Sequence, residues 1–150
     1  MAKAIVIFAS TTGNTETLAE SVSSGLKEGG LEVTVKNVAD ASVDELAGYD
    51  LIVLGSSTWD GLNEDFRDFY EKMAGLSLAG KKAAVFGPGD SENYPDTFCE
   101  SVDILEKRLK ECGANVVTES LKIDRPMGEE MDDAAREEAK DWALKLAELI

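Results

Sequence analysis

The sequence predicts an α/β fold, a parallel sheet of five strands with helices on both faces. Three observations carry that prediction. Five apolar, strand-like runs alternate with helical patterns along the 150 residues. The first, third and fourth runs are nearly continuous in apolar residues, as strands covered on both faces are. The second and fifth are partly polar, which suits the two edges. Repeated βα units of this length give a parallel sheet with right-handed crossovers. No internal repeat, low-complexity tract or linker interrupts the pattern, so residues 1–150 read as one domain.

The elements follow in order. Ala4–Ala9 is the first strand, and it runs directly into Ser10-Thr-Thr-Gly-Asn-Thr15. A helix beginning around Glu16 carries Leu18, Val22 and Leu26 on one face and stops at Gly29-Gly30. Val33–Val38 alternates as an edge strand does. Ser42 and Glu45 form an S-x-x-E capping box for a short helix before Tyr49. Leu51–Gly55 is the third strand and Ala83–Gly87 the fourth. Between them Phe66, Phe69, Tyr70 and Met73 recur at helical spacing. Val102, Leu105 and Leu109 mark a helix stopped by Gly113, and Val116–Ile123 forms the opposite edge. Ala135, Ala139, Trp142, Leu146 and Leu149 define the last helix. Phe8, Phe66, Phe69, Phe86 and Trp142 read as core or helix packing.

Composition narrows the function. Thirty acidic residues stand against 15 basic ones, a formal net charge of −15. Nucleic-acid binding requires a Lys/Arg surface and is excluded as an expectation, whereas a basic protein partner is favoured. Histidine is absent, and Cys99 and Cys112 are too far apart for a CxxC pair. Transition-metal sites and Cys–His catalysis are therefore not expected, and both thiols are expected to be free. Without a signal peptide or an apolar stretch near 18 residues, the chain reads as cytoplasmic and not membrane-bound.

In a parallel sheet three loops gather at the carboxyl ends of the strands, where such folds bind ligands. The first is Ser10–Thr15, a run of hydroxyls with Gly13 and Asn14 at a strand-to-helix turn. Backbone N–H groups at a helix N-terminus, backed by hydroxyls, cradle a phosphate. Neither Lys nor Arg occurs between Lys3 and Lys27, so such a phosphate is held by dipoles and hydrogen bonds alone. The second loop is Ser56-Ser-Thr-Trp-Asp-Gly61. The third is Pro88-Gly-Asp-Ser-Glu-Asn-Tyr94, continuing to Phe98 and Cys99. Two aromatic loops beside a phosphate cradle suit a flat heteroaromatic ring on a phosphorylated tether.

With these loops the sequence resembles the flavodoxins, small FMN-containing electron carriers. The likeness spans essentially the whole chain. It rests on T-x-T-G-N-T as Ser10 to Thr15, on Ser57-Thr58-Trp59, and on Gly89-Asp90 followed by Tyr94. The strand order 2-1-3-4-5 comes with the resemblance, that family being a type example of it. A last strand without the long insertion of some members places the chain in the short-chain group. The loop from Asp60 to Asp65 is shorter than common family versions.

The resemblance implies the site roles. Ser10, Thr11, Thr12, Gly13, Asn14 and Thr15 would hold the FMN phosphate, with Thr58 as a further hydroxyl. Trp59 and Tyr94 would sandwich the isoalloxazine ring. Asp90 and the backbone around Pro88 and Gly89 would meet its pyrimidine edge, with Ser57, Phe98 and Cys99 completing the lining. Cys99 reads as a small buried hydrophobe there and not as a nucleophile. The Asp60–Gly61 peptide would turn a carbonyl toward the flavin N5 on reduction, which Gly61 permits at a type II turn.

The implied function is a low-potential one-electron carrier shuttling mainly between semiquinone and hydroquinone. Anionic reduced flavin near Asp60, Asp90 and an unneutralised phosphate is disfavoured. Unit charges ~4 Å apart interact by ~4 kcal/mol at an effective dielectric near 20. A shift of ~1.4 kcal/mol is ~59 mV for one electron, so the second reduction should fall by many tens of millivolts. Asp60, Glu64, Asp65, Asp68, Asp90, Glu92, Asp96 and Glu100, with Arg67 the only base nearby, would form an acidic rim. Transient redox partners would dock there through basic patches, on a monomer. The alternative is an FMN-dependent reductase or redox activator on the same fold. A phospho-acceptor domain would need acids where Ala9-Ser10-Thr11 stand, and a P-loop nucleotide module would need GxxxxGK[ST].

Overall fold

The computed structural model describes residues 2–9, 13–57, 64–92, 95–125 and 131–150. Strands β1 (Lys3–Ala9), β2 (Glu32–Asn37), β3 (Leu51–Ser56) and β4 (Lys82–Gly89) pair in parallel in the order β2-β1-β3-β4. The far edge holds two short strands, β5 (Asn115–Val116) and β6 (Leu121–Asp124), each parallel to β4. The order 2-1-3-4-5 is therefore present, with β6 as an addition.

A single strand over Val116–Ile123 does not form. Between Ala83 and Phe86 β4 advances three residues, while the edge advances five, from Val116 to Leu121. Val117 still donates its N–H to the Ala83 carbonyl at 3.2 Å, but the surplus cannot be paired, so Thr118–Ser120 leaves the ladder. Two side chains hold the excursion in place. The Trp142 Nε1–H donates to the Glu119 carbonyl at 3.0 Å, and the Ser120 hydroxyl donates to Glu106 Oε1 at 2.9 Å.

Strand alternation sorts the apolar residues into two cores. Ala4, Val6 and Phe8 of β1 face helices α1 (Asn14–Glu28) and α4 (Asp133–Glu148). Ile5, Ile7 and Ala9 face the other side, covered by α2 (Arg67–Lys72), α3 (Glu100–Glu111) and short 3-10 segments. β1 and β3, buried on both faces, are the most apolar runs, as their composition requires.

Helix α1 starts at Asn14, slightly before the expected Glu16, and ends at Gly29, with Gly30 at φ +94°. The Ser42–Glu45 capping box forms, but over the 3-10 segment Val43–Gly48 and not an α-helix. Phe66 ends the 3-10 turn Glu64–Phe66 and is the N-cap of α2, so only Arg67–Lys72 is α-helical in this stretch. On α4, Leu149 is 46% exposed, contrary to its expected inward position, because the helix ends at Glu148. Ala143 is buried instead, one turn after Ala139.

Candidate functional site

The topology brings three strand ends together. β1 and β3 are neighbours, and Ala9 is the register partner of Ser56. Gly55 is paired with Phe86, so Ser56 lies beside Gly87 in the last residues of β4, which runs on to Gly89. From β1 the chain crosses to β2 on one side, and β3 flanks β1 on the other. The crevice at this switch point is where the predicted loops leave the sheet.

At the first loop, Gly13 caps α1 with φ +88°, a left-handed conformation that favours glycine. Its carbonyl accepts from the Thr17 N–H at 3.0 Å and from the Thr17 hydroxyl at 3.1 Å. Thr15, in the first turn, is fully buried, and its Oγ1 has no hydrogen-bond partner among the described residues. A buried hydroxyl without a partner costs roughly 1–3 kcal/mol. Such a group at the start of a helix can donate to a ligand acceptor. Residues 10–15 carry no charge and Glu16 is the acidic residue of the first helical turn, so an anion here would be held without a cation.

At the second loop, Ser56 is fully buried at the end of β3. Its hydroxyl accepts from Ser101 Oγ of α3 at 2.8 Å and donates to the Ser57 carbonyl at 3.1 Å. This relay ties the start of the loop to α3. Ser57 is half-buried. No sequence signal marked Ser101, whose partner lies 45 positions away.

At the third loop, Pro88, Gly89 and Asp90 are all buried. A Cβ on Gly89 would stand 2.8 Å from Cys99 Sγ and 3.0 Å from Phe98 Cδ1, so the predicted lining residues do meet here. Cys99 is the only non-glycine residue with positive φ among those described, at φ +50°. Its thiol is buried and donates weakly to the Gly87 carbonyl at 3.6 Å. Burial pushes the thiol up to about 12, with Lys122 opposing and Asp103 and Asp124 adding to the shift. A thiol raised in this way favours its protonated form near neutral pH.

Asp90 departs from its expected place in the acidic rim. It is only 2% exposed, and its Oδ1 accepts from the Glu92 N–H at 3.1 Å, an Asx turn that folds the carboxylate back into the loop. Around it Glu64, Asp65, Asp68, Glu92 and Asp96 are exposed and Glu100 is half-exposed. Arg67 pairs with Glu64 at 3.7 Å and Lys72 with Asp68 at 3.0 Å. Ser10, Thr11, Thr12, Thr58, Trp59, Asp60, Gly61 and Tyr94 lie outside the described residues.

Sequence reasoning missed the support of the third loop. Asp124, at the end of β6, accepts from the Ser91 N–H at 3.0 Å and from the Ser91 hydroxyl. Among the described residues no helix is long and apolar enough to cross a membrane, and no His/Cys/Asp/Glu cluster could hold a metal.

Comparison with known proteins converges on one family. The family model described as Flavodoxin matches residues 6–138. A flavodoxin of Maridesulfovibrio salexigens is 40% identical over 156 aligned positions, covering 100% of both chains. Probable flavodoxin 2 of Bacillus subtilis is 39% identical, covering 89% of each. The crystal structure of oxidised flavodoxin 1 from Bacillus cereus superposes with a TM-score of 0.90 at 36% identity, covering 99% of each chain.

Proposed function

The chain belongs to the flavodoxin family, and from that premise we propose that it is a low-potential, single-domain carrier passing one electron at a time between partner proteins. Flavodoxins are electron-transfer flavoproteins that bind FMN non-covalently and are not stand-alone enzymes. The finer reading is shuttling between the one-electron-reduced and two-electron-reduced cofactor.

The observation that carries it is the partnerless, fully buried Thr15 hydroxyl beneath the left-handed Gly13 turn. A phosphate supplies the acceptor that Thr15 lacks, and the residues present fit FMN on this ground. Ser10, Thr11, Thr12, Gly13, Asn14, Thr15 and Thr58 would hold the phosphate. Trp59 and Tyr94 would cover the ring faces. Ser57, Asp60, Gly61, Pro88, Gly89, Asp90, Phe98 and Cys99 would line its edges.

When bound, FMN supplies one-electron chemistry that no side chain here offers. The chain's own residues would set the potential. The exposed acids around the loops would hold negative potential at the crevice, and the cradle contributes no cation to offset it. Both disfavour added negative charge on a bound ring, which supports a depressed second potential. The exposed acids Glu64, Asp65, Asp68, Glu92 and Asp96 support docking of basic partner surfaces by a monomer in the cytoplasm.

Purification with the absorbance spectrum recorded tests the reading. A yellow protein with one FMN per chain and negligible NAD(P)H oxidation on its own is expected. A colourless chain that takes up no added FMN would sink the proposal, and rapid NAD(P)H turnover would favour a reductase.

A further inference from the structure

Two segments meet at the far side of the crevice. Gly89 is the register partner of Asp124, and the Arg125 N–H donates to the Gly89 carbonyl at 2.9 Å. Just beyond, the Asp124 carboxylate takes both the N–H and the hydroxyl of Ser91, one oxygen for each. Arg125 extends the bracket. Its Nε and terminal nitrogen reach the two oxygens of Asp132 at 3.2 and 3.3 Å. Asp132 in turn caps α4 by accepting from the Ala135 N–H at 2.8 Å. Loop three is thus bolted at Gly89 and Ser91 to the joint between β6 and α4.

Asp90 sits between the two bolts. A buried carboxylate is held in one orientation only if the backbone on both sides of it is fixed. Asp124 is exposed, and both of its carboxylate oxygens are directed at Ser91. We propose that Asp124 is a positioning residue: by gripping Ser91 it fixes the third loop and the direction of Asp90, and with Arg125 it couples the site to the start of α4. The proposal rests on the FMN reading for its functional consequence, while the clamp itself is a property of the free chain.

Asp124→Ala and Asp124→Asn in the full chain test it, with Asp133→Ala as a control on the exposed first turn of α4. Three quantities are read: amide hydrogen exchange of the FMN-free protein, FMN affinity by fluorescence quenching, and both one-electron midpoint potentials. Asp124→Ala should raise exchange at Ser91 and Glu92 while the strands keep their protection. It should weaken FMN binding about tenfold, equivalent to ~1.4 kcal/mol, and move the second potential. Asparagine keeps an oxygen for the Ser91 N–H and should restore part of the affinity. Asp133→Ala should match wild type in all three.

Wild-type exchange at Ser91 in Asp124→Ala would overturn the clamp. So would exchange rising uniformly through β1, β3 and β4, which marks a structural role only. Unchanged affinity and potentials with local exchange raised would overturn the functional half. If wild type itself takes up no FMN, the carrier reading fails, and the exchange data still decide on the clamp.

Discussion

A Cβ on Gly87 would stand 2.1 Å from the carbonyl oxygen of Ser56. The fourth strand therefore passes the end of the third with bare backbone against bare backbone, and the carbonyl cannot swing aside as a flexible side chain could. The same Cβ would meet Val102 Cγ2 at 2.7 Å. Gly87→Ala should cost about 1–3 kcal/mol through overpacking and loosen the second loop at its root. Urea unfolding checks it; an unchanged midpoint would contradict the close approach.

Thr15→Val separates a ligand-binding hydroxyl from a structural one by sign. The substitution keeps the shape and removes the partnerless Oγ1. The FMN-free protein should gain roughly 1 kcal/mol, because the desolvated hydroxyl no longer goes unpaired. FMN binding should weaken about tenfold or more, the loss of a hydrogen bond to a charged group. Parallel denaturation and FMN titration would show the two effects in opposite directions. A loss in both would mean that the hydroxyl has a partner within the protein.

Cys99 predicts a stability loss at high pH. Its thiol is raised from 9.0 to about 12 in the folded state by burial. Below the unfolded value both states are protonated and the contribution is fully present. Above it the unfolded thiol ionises first, so stability falls by up to ~1.4 kcal/mol per pH unit until the folded thiol ionises too. Cys99→Ala should flatten the urea-midpoint profile between pH 9 and 12. In the native protein at pH 8, Cys99 should resist iodoacetamide.

Gly25 tests helix packing against helix propensity. Alanine is favoured over glycine by about 1 kcal/mol in a helix interior. Here its Cβ would lie 2.5 Å from the Lys140 carbonyl oxygen and 2.7 Å from Ala143 Cβ. The overlap should win, and Gly25→Ala should lower the melting temperature. A rise would show that α4 can move away from α1 at little cost.

The fold was legible because β1, β3 and β4 are apolar on both faces and each helix carries a regular stripe. Periodicity cannot count surplus residues, however. Nothing local in Val116–Ile123 distinguishes one strand from two interrupted by Thr118–Ser120, which only the register against β4 reveals. Likewise, Leu149 continues the stripe of α4 in sequence, yet the helix ends before it. At the site, Gly13, Thr15, Gly89 and Cys99 could be read from motif and residue type. Asp90 reads in sequence as both a ring-edge residue and part of the acidic rim; its burial removes it from the rim, and it accepts from the Glu92 N–H in an Asx turn that residue type alone does not announce. Asp124 and Ser101 act across 33 and 45 positions, where sequence pattern carries no signal.

Anaerobic redox titration of the FMN-loaded protein tests the carrier function most directly. Two separated one-electron steps are expected, with a blue one-electron-reduced species in between. The second step should lie many tens of millivolts below that of free FMN, since ~59 mV corresponds to only ~1.4 kcal/mol for one electron. A single two-electron step near the potential of free FMN would contradict a low-potential one-electron carrier.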